Sequence, residues 1–111
     1  MREIKVIMRP VMLDKVIDAL RAHPGLPGVT VSQLVGFGRE RAADAPAEGQ
    51  ASPDKCGYQQ VVKLEIVVPD SMCGEVARLI TDTARTGQPG DGVIFISPVE
   101  SATRIRTGMP F

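Results

Sequence analysis

Apolar and polar residues alternate from the start of the chain. Ile4, Val6 and Met8 interleave with Lys5, Ile7 and Arg9, a period of two that predicts a strand over residues 3–9, closed by Pro10. The period then lengthens. Leu13, Val16, Ile17 and Leu20 recur at helical spacing, with Asp14 in the first turn where the helix dipole favours a carboxylate. His23-Pro24-Gly25 stops that helix, Pro27-Gly28 keeps the chain turning, and the β-branched stretch Val29–Val35 predicts a second strand.

From Gly36 to Tyr58 no periodic apolar face can be found. The segment is rich in Gly, Ala, Pro and charge, and its length inside so short a chain marks it as a functional loop. Beyond it, Val62, Leu64, Ile66 and Val68 fall on one face of a third strand, with Val61, Lys63, Glu65 and Val67 on the other. Asp70 is placed to cap a second helix, along which Cys73, Val76, Ala77 and Ile80 line one side with Leu79 beside them. Gly87–Gly92 breaks that helix, Val93–Ser97 predicts a fourth strand, and Thr103–Thr107 reads as a last extended piece in a tail over residues 98–111.

The order β-α-β-loop-β-α-β predicts a single α+β domain over residues 1–111, a ferredoxin-like βαββαβ sandwich with both helices on one face of an antiparallel sheet. Its other face carries Val61 and Val67 beside Lys63 and Glu65, and such a half-apolar open face implies self-association.

Composition narrows the function. Formal net charge is zero, and there are three Phe, one Tyr and no Trp, which argues against nucleic acid as partner. No stretch approaches a membrane span, and MREIKVIMRP lacks the pattern of a secretion signal, so a cytoplasmic protein is expected. Cys56 and Cys73 form no metal or redox pair, and Cys73 fits a small core position. The sole histidine, His23, lies in a turn, so no nucleophile–His–acid constellation is visible and no catalytic residue is assigned. An acylphosphatase-like enzyme on this fold looks for an Arg with an Asn, and the chain contains no Asn.

Three clusters suit phosphate. Gly36-Phe37-Gly38-Arg39 joins close backbone approach to a guanidinium, although a plain turn has the same composition. Thr86–Gly92 gathers glycines whose N–H groups could cradle oxygens, or simply links helix to strand. Arg104 and Arg106, two apart on an extended segment, would project to one side, either as a cationic pair or as charges guarding a sheet edge.

In combination, GVTVSQLVGFGR, VVKLEIVVPD, TARTGQPGDGVIFISPV and RIRTG resemble the PII signal-transduction (nitrogen regulatory) family in order and spacing, over nearly the whole chain. The resemblance implies a homotrimer with adenine nucleotides (ADP, AMP or ATP) in the clefts between subunits and no prosthetic group. It makes residues 36–58 the T-loop, through which such a regulator engages a target protein, often a membrane transporter. It places Gly36, Phe37, Gly38 and Arg39 at the loop root against the nucleotide, and Gly90, Asp91 and Gly92 in the phosphate turn. Arg104 and Arg106 would reach the phosphates, Gly28, Val29 and Thr30 the adenine side, and Glu65, Ile66 and Val67 the pocket wall.

Against the family pattern, Glu40 replaces a Gln that helps chelate Mg with 2-oxoglutarate, Val61 a Lys that pairs with 2-oxoglutarate, and Val93 a Lys on the terminal phosphates. Losing one charge-assisted contact costs roughly 1.5–3 kcal/mol, or more than tenfold in affinity. Loss of 2-oxoglutarate sensing is therefore expected, with ADP and AMP competing better against ATP and bicarbonate a candidate co-ligand. Tyr58 stands at the loop's base and not near its tip, which argues against uridylylation. The alternative on the same fold is a trimeric metal-tolerance protein of the CutA type, or one linked to metal efflux, which would not need GFGR, GDG and RIR together.

Overall fold

The computed structural model describes residues 1–37 and 58–110. Strands β1 (Arg2–Met8), β2 (Thr30–Gly36), β3 (Gln59–Val68) and β4 (Gly92–Pro98) form one sheet in the order β2-β3-β1-β4. Every neighbouring pair is antiparallel. Helices α1 (Leu13–Arg21) and α2 (Asp70–Ala84) connect β1 to β2 and β3 to β4. This is the ferredoxin-like α+β arrangement expected from the periodicities.

Alternation along the two central strands decides what is buried. Ile4, Val6 and Met8 of β1 stand beside Ile66, Leu64 and Val62 of β3, and all six are withdrawn from solvent. Val16 and Leu20 of α1, with Cys73, Val76 and Ile80 of α2, close over them. Each such side chain contributes about 1.5–3 kcal/mol on burial, and no polar residue among those described is buried with them. The edge strands β2 and β4 remain largely exposed on both faces.

Local chemistry explains the joints. Pro10 opens a short 3-10 turn (Pro10–Met12) that leads into α1, where Asp14 and Arg21 complement the two ends of the helix dipole. Gly25 takes φ +78 to reverse the chain after α1. The His23 Nε2 lies 3.0 Å from the Glu75 carboxylate on α2, tying that reversal to the second helix.

Two expectations need correction. Asp70 does not cap α2 from outside: Pro69 holds the cap position, Asp70 is the first helical residue, and no side chain caps the helix. The pairing of Arg2 with Val68 brings cations to it, so its carboxylate sits 3.0 Å from the Met1 amine and 3.7 Å from Arg2 Nε. The tail segment Thr103–Thr107 is not extended. Thr103 bridges to Pro110, Arg104 N–H donates to Met109 O at 2.8 Å, and Gly108 N–H donates to Arg104 O at 2.7 Å. Gly108, at φ +68, permits the reversal that a strand reading of its neighbours overlooks.

Candidate functional site

The end of the sheet that carries Met8 also carries Gly36, Gln59 and Gly92, through the pairings Gly36↔Gln59, Met8↔Val62 and Met8↔Gly92. Phe37 and Tyr58, one on each side of the long loop, meet there with ring centroids 5.7 Å apart and planes tilted by 43°. Phe37 remains 75% exposed, so its ring is available to a ligand or partner. Gly38, Arg39, Glu40 and Cys56 lie outside the described residues.

At the same end, on the opposite edge, the turn from Thr86 to Gly92 is organised around one acid. The Asp91 carboxylate accepts from Thr86 N–H at 2.8 Å, from Gly87 N–H at 2.9 Å and from the Thr86 hydroxyl. Arg9 Nη2 approaches it to 3.4 Å from the end of β1. The Thr86 hydroxyl bond, then the Thr86 and Gly87 amides and Arg9, hold the Asp91 carboxyl below the usual carboxylate range, against the opposing effect of burial. Gly87, Gly90 and Gly92 all take positive φ, a backbone that closely spaced L side chains would resist. A cleft of about 400 Å³ opens beside the turn, bordered by Thr81, Ala84, Arg85, Asp91 and Gly92.

The open face of the sheet joins the other candidates in cross-strand rows. One row runs Thr30, Glu65, Lys5, Phe95 and the next Ser32, Lys63, Ile7, Val93. Thr30 and Glu65 are therefore direct neighbours, and Lys63 Nζ sits 3.7 Å from the Glu65 carboxylate within the same chain. Val67 shares this face, half-buried, opposite Glu3. Gly28 is exposed, whereas Val29 packs partly against the core. Ile66 departs from the expected wall: its side chain points to the opposite face, buried against Ile4, and only its backbone can border a site.

The structure thus brings some candidates together and keeps others apart. The loop root on β2 and the Asp91 turn before β4 share an end but occupy opposite edges, three strand spacings or about 14 Å across. Arg104 and Arg106 follow Pro98, which pairs with Arg2 at the other end of the sheet. They sit, exposed, in the tail turn, so the reasoning that put both guanidinium groups on one side of a strand does not hold.

Sequence reasoning passed over Arg9, which the structure places against Asp91. A charged residue closing a strand that abuts the glycine turn was the only signal, and without the register Met8↔Gly92 it pointed nowhere. Among the described residues, no group of three or more His, Cys, Asp and Glu side chains could hold a metal ion. No helix among them is long and apolar enough to cross a membrane.

Comparison with known proteins bears on this arrangement directly. The family model described as Nitrogen regulatory protein P-II matches residues 1–109. The chain belongs to the P-II family. Proteins named Nitrogen regulatory protein P-II from Microchaete diplosiphon and Synechocystis sp. are 44% and 43% identical to it, each over 97% of this chain and 94% of the relative. The protein of that name from Cereibacter sphaeroides is 41% identical over the same shares.

Proposed function

We propose that this P-II chain is a regulatory protein, not an enzyme, which binds adenine nucleotides in clefts between the subunits of a homotrimer. It would signal to a target protein through residues 36–58. The observation that carries this reading is the spread of the candidate residues over one chain. The Asp91 turn, the loop root, the Thr30–Glu65 pair and the arginine turn occupy both edges and both ends of the sheet. No small ligand bridges all of them within a single copy. A second copy packed against the open face and its edges would bring the Gly28–Thr30 stretch, Glu65 and Val67 of one subunit towards the glycine turn of the next.

Exposed Val93, Phe95 and Leu34 on the uncovered face supply apolar area for such an interface. On the same face Val93 of β4, at 46% exposure, presents no charge to a phosphate, and half-buried Val61 of β3, two strands away, presents none to a dicarboxylate. The site therefore favours ADP and AMP over ligands that need further cations, and 2-oxoglutarate finds no lysine at either position. Bicarbonate, small and singly charged, remains a co-ligand compatible with that corner. The target, whether a membrane transporter or another protein, is read through the loop.

Calorimetric titration with ATP, ADP and AMP, alone and with Mg plus 2-oxoglutarate or with bicarbonate, tests the ligand, and native mass spectrometry tests the trimer. Binding of ADP or AMP to a trimer, indifferent to 2-oxoglutarate, is expected. Failure to bind any nucleotide would refute the reading and leave the metal-tolerance alternative, to be tried with divalent copper and zinc.

A further inference from the structure

An acid at the heart of a turn meant for phosphate poses an electrostatic conflict. Asp91 braces the turn, because its carboxylate gathers Thr86 N–H, Gly87 N–H and the Thr86 hydroxyl and so holds together the start of the glycine segment. The Thr86 hydroxyl in turn accepts from Gln88 N–H at 3.2 Å, which extends the brace by another residue. Yet the same carboxylate adds a full negative charge where a polyanion would approach.

We propose that Arg9 is a positioning residue of this site: its guanidinium neutralises the bracing Asp91 carboxylate and so permits a phosphate-bearing ligand to bind the glycine turn. This rests on the reading that the turn receives the phosphates of a nucleotide. Arg9 Nη2 stands 3.4 Å from Asp91 Oδ1 and 3.4 Å from the Thr86 hydroxyl, so the cation spans both members of the brace. The placement follows from sheet register. Met8 pairs with Gly92, so Arg9, the residue that follows β1, lies beside Asp91, and Pro10 holds the Arg9 backbone extended. The two side chains are only 16% and 22% exposed, so salt and water screen the pair less than a fully solvated one. The lowered Asp91 carboxyl accords with a carboxylate kept ionised and stabilised in place. Arg9 itself need not touch the ligand.

The test compares wild type, R9K, R9Q, D91N and R9Q/D91N by calorimetry with AMP, ADP and ATP at two salt concentrations. R9Q should weaken ATP binding by about tenfold or more, ADP less and AMP least, with the loss shrinking in high salt. R9K should retain most of the affinity. In R9Q/D91N the uncompensated charge is gone while an amide oxygen can still accept from the Thr86 and Gly87 N–H groups, so affinity should return to within a few-fold of wild type. Should R9Q not fold, D91N decides: with the negative charge of the bracing carboxylate removed, ATP should bind as tightly as in wild type or more tightly.

An R9Q loss equal for all three nucleotides, no loss at all, or no recovery in the double variant would overturn the proposal, as would weaker ATP binding by a folded D91N. Wild type that binds no nucleotide would instead overturn the reading on which this one rests.

Discussion

Gly92 opens β4 with φ +118, a conformation that L residues resist. A Cβ there would stand 2.0 Å from the Ile7 carbonyl oxygen and 3.0 Å from Met8 Cα. Both obstacles are backbone of β1, which is held between β3 and β4 and cannot yield by rotating a side chain. Gly92→Ala should therefore incur about 1–3 kcal/mol for the strained backbone and about 1–3 kcal/mol for forcing atoms into filled space. Together these come to about 2–6 kcal/mol, a large part of the ~5–15 kcal/mol that holds an ordinary domain folded. Urea unfolding followed by far-UV circular dichroism, at one fixed protein concentration, should show the midpoint falling by about 1–3 M for a slope near 2 kcal/mol/M. Gly74→Ala is the matched control. That glycine lies inside α2 with nothing within 4 Å of its missing Cβ, so alanine should stabilise by about 0.5–1 kcal/mol. If Gly92→Ala unfolded within about 0.5 kcal/mol of wild type, the close approach of β4 to β1 and the steric account of this glycine would both be wrong.

Leu64, fully buried in the middle of the core, should lose about 2–5 kcal/mol on replacement by Ala, read as the same urea midpoint shift. Arg106→Ala should leave unfolding within about 0.5 kcal/mol of wild type, because the side chain is exposed, yet weaken ADP roughly tenfold by calorimetry if it reaches a neighbour's phosphates. Asp70 and Asp91 both have carboxyls lowered in the folded state, the first chiefly by its hydrogen bond to the Met1 amine and the second by Thr86. Between folded and unfolded values the unfolded chain binds more protons. Their stabilising contribution is thus complete above the unfolded carboxyl range, near pH 5, and drains away as pH falls through the folded values. Acid titration of stability should be flatter below pH 5 in Asp70→Asn than in wild type, and an unchanged slope would count against the ion pair.

Period and punctuation were enough to read the elements in order, since burial on one face forces apolar residues to repeat every two positions in β1 and β3 and at helical spacing in α1 and α2. The glycine segments could be recognised as candidate phosphate ground for the same local reason, because positive φ and exposed N–H groups belong to the residue type. Other features depend on atoms far apart in the chain. That Asp70 pairs with the N-terminal amine and that Arg9 meets Asp91 both follow from strand register, which no single segment specifies. The tail misled because Thr103–Thr107 has strand-like alternation, while its actual turn is closed by hydrogen bonds to Gly108 and Met109 beyond it. Sequence alone determined which faces are apolar and where the backbone can bend, both being properties of residues and their neighbours. Only the tertiary structure decided which charges meet and which candidates share an end of the sheet, because Coulomb and hydrogen-bond partners are set by distance in space.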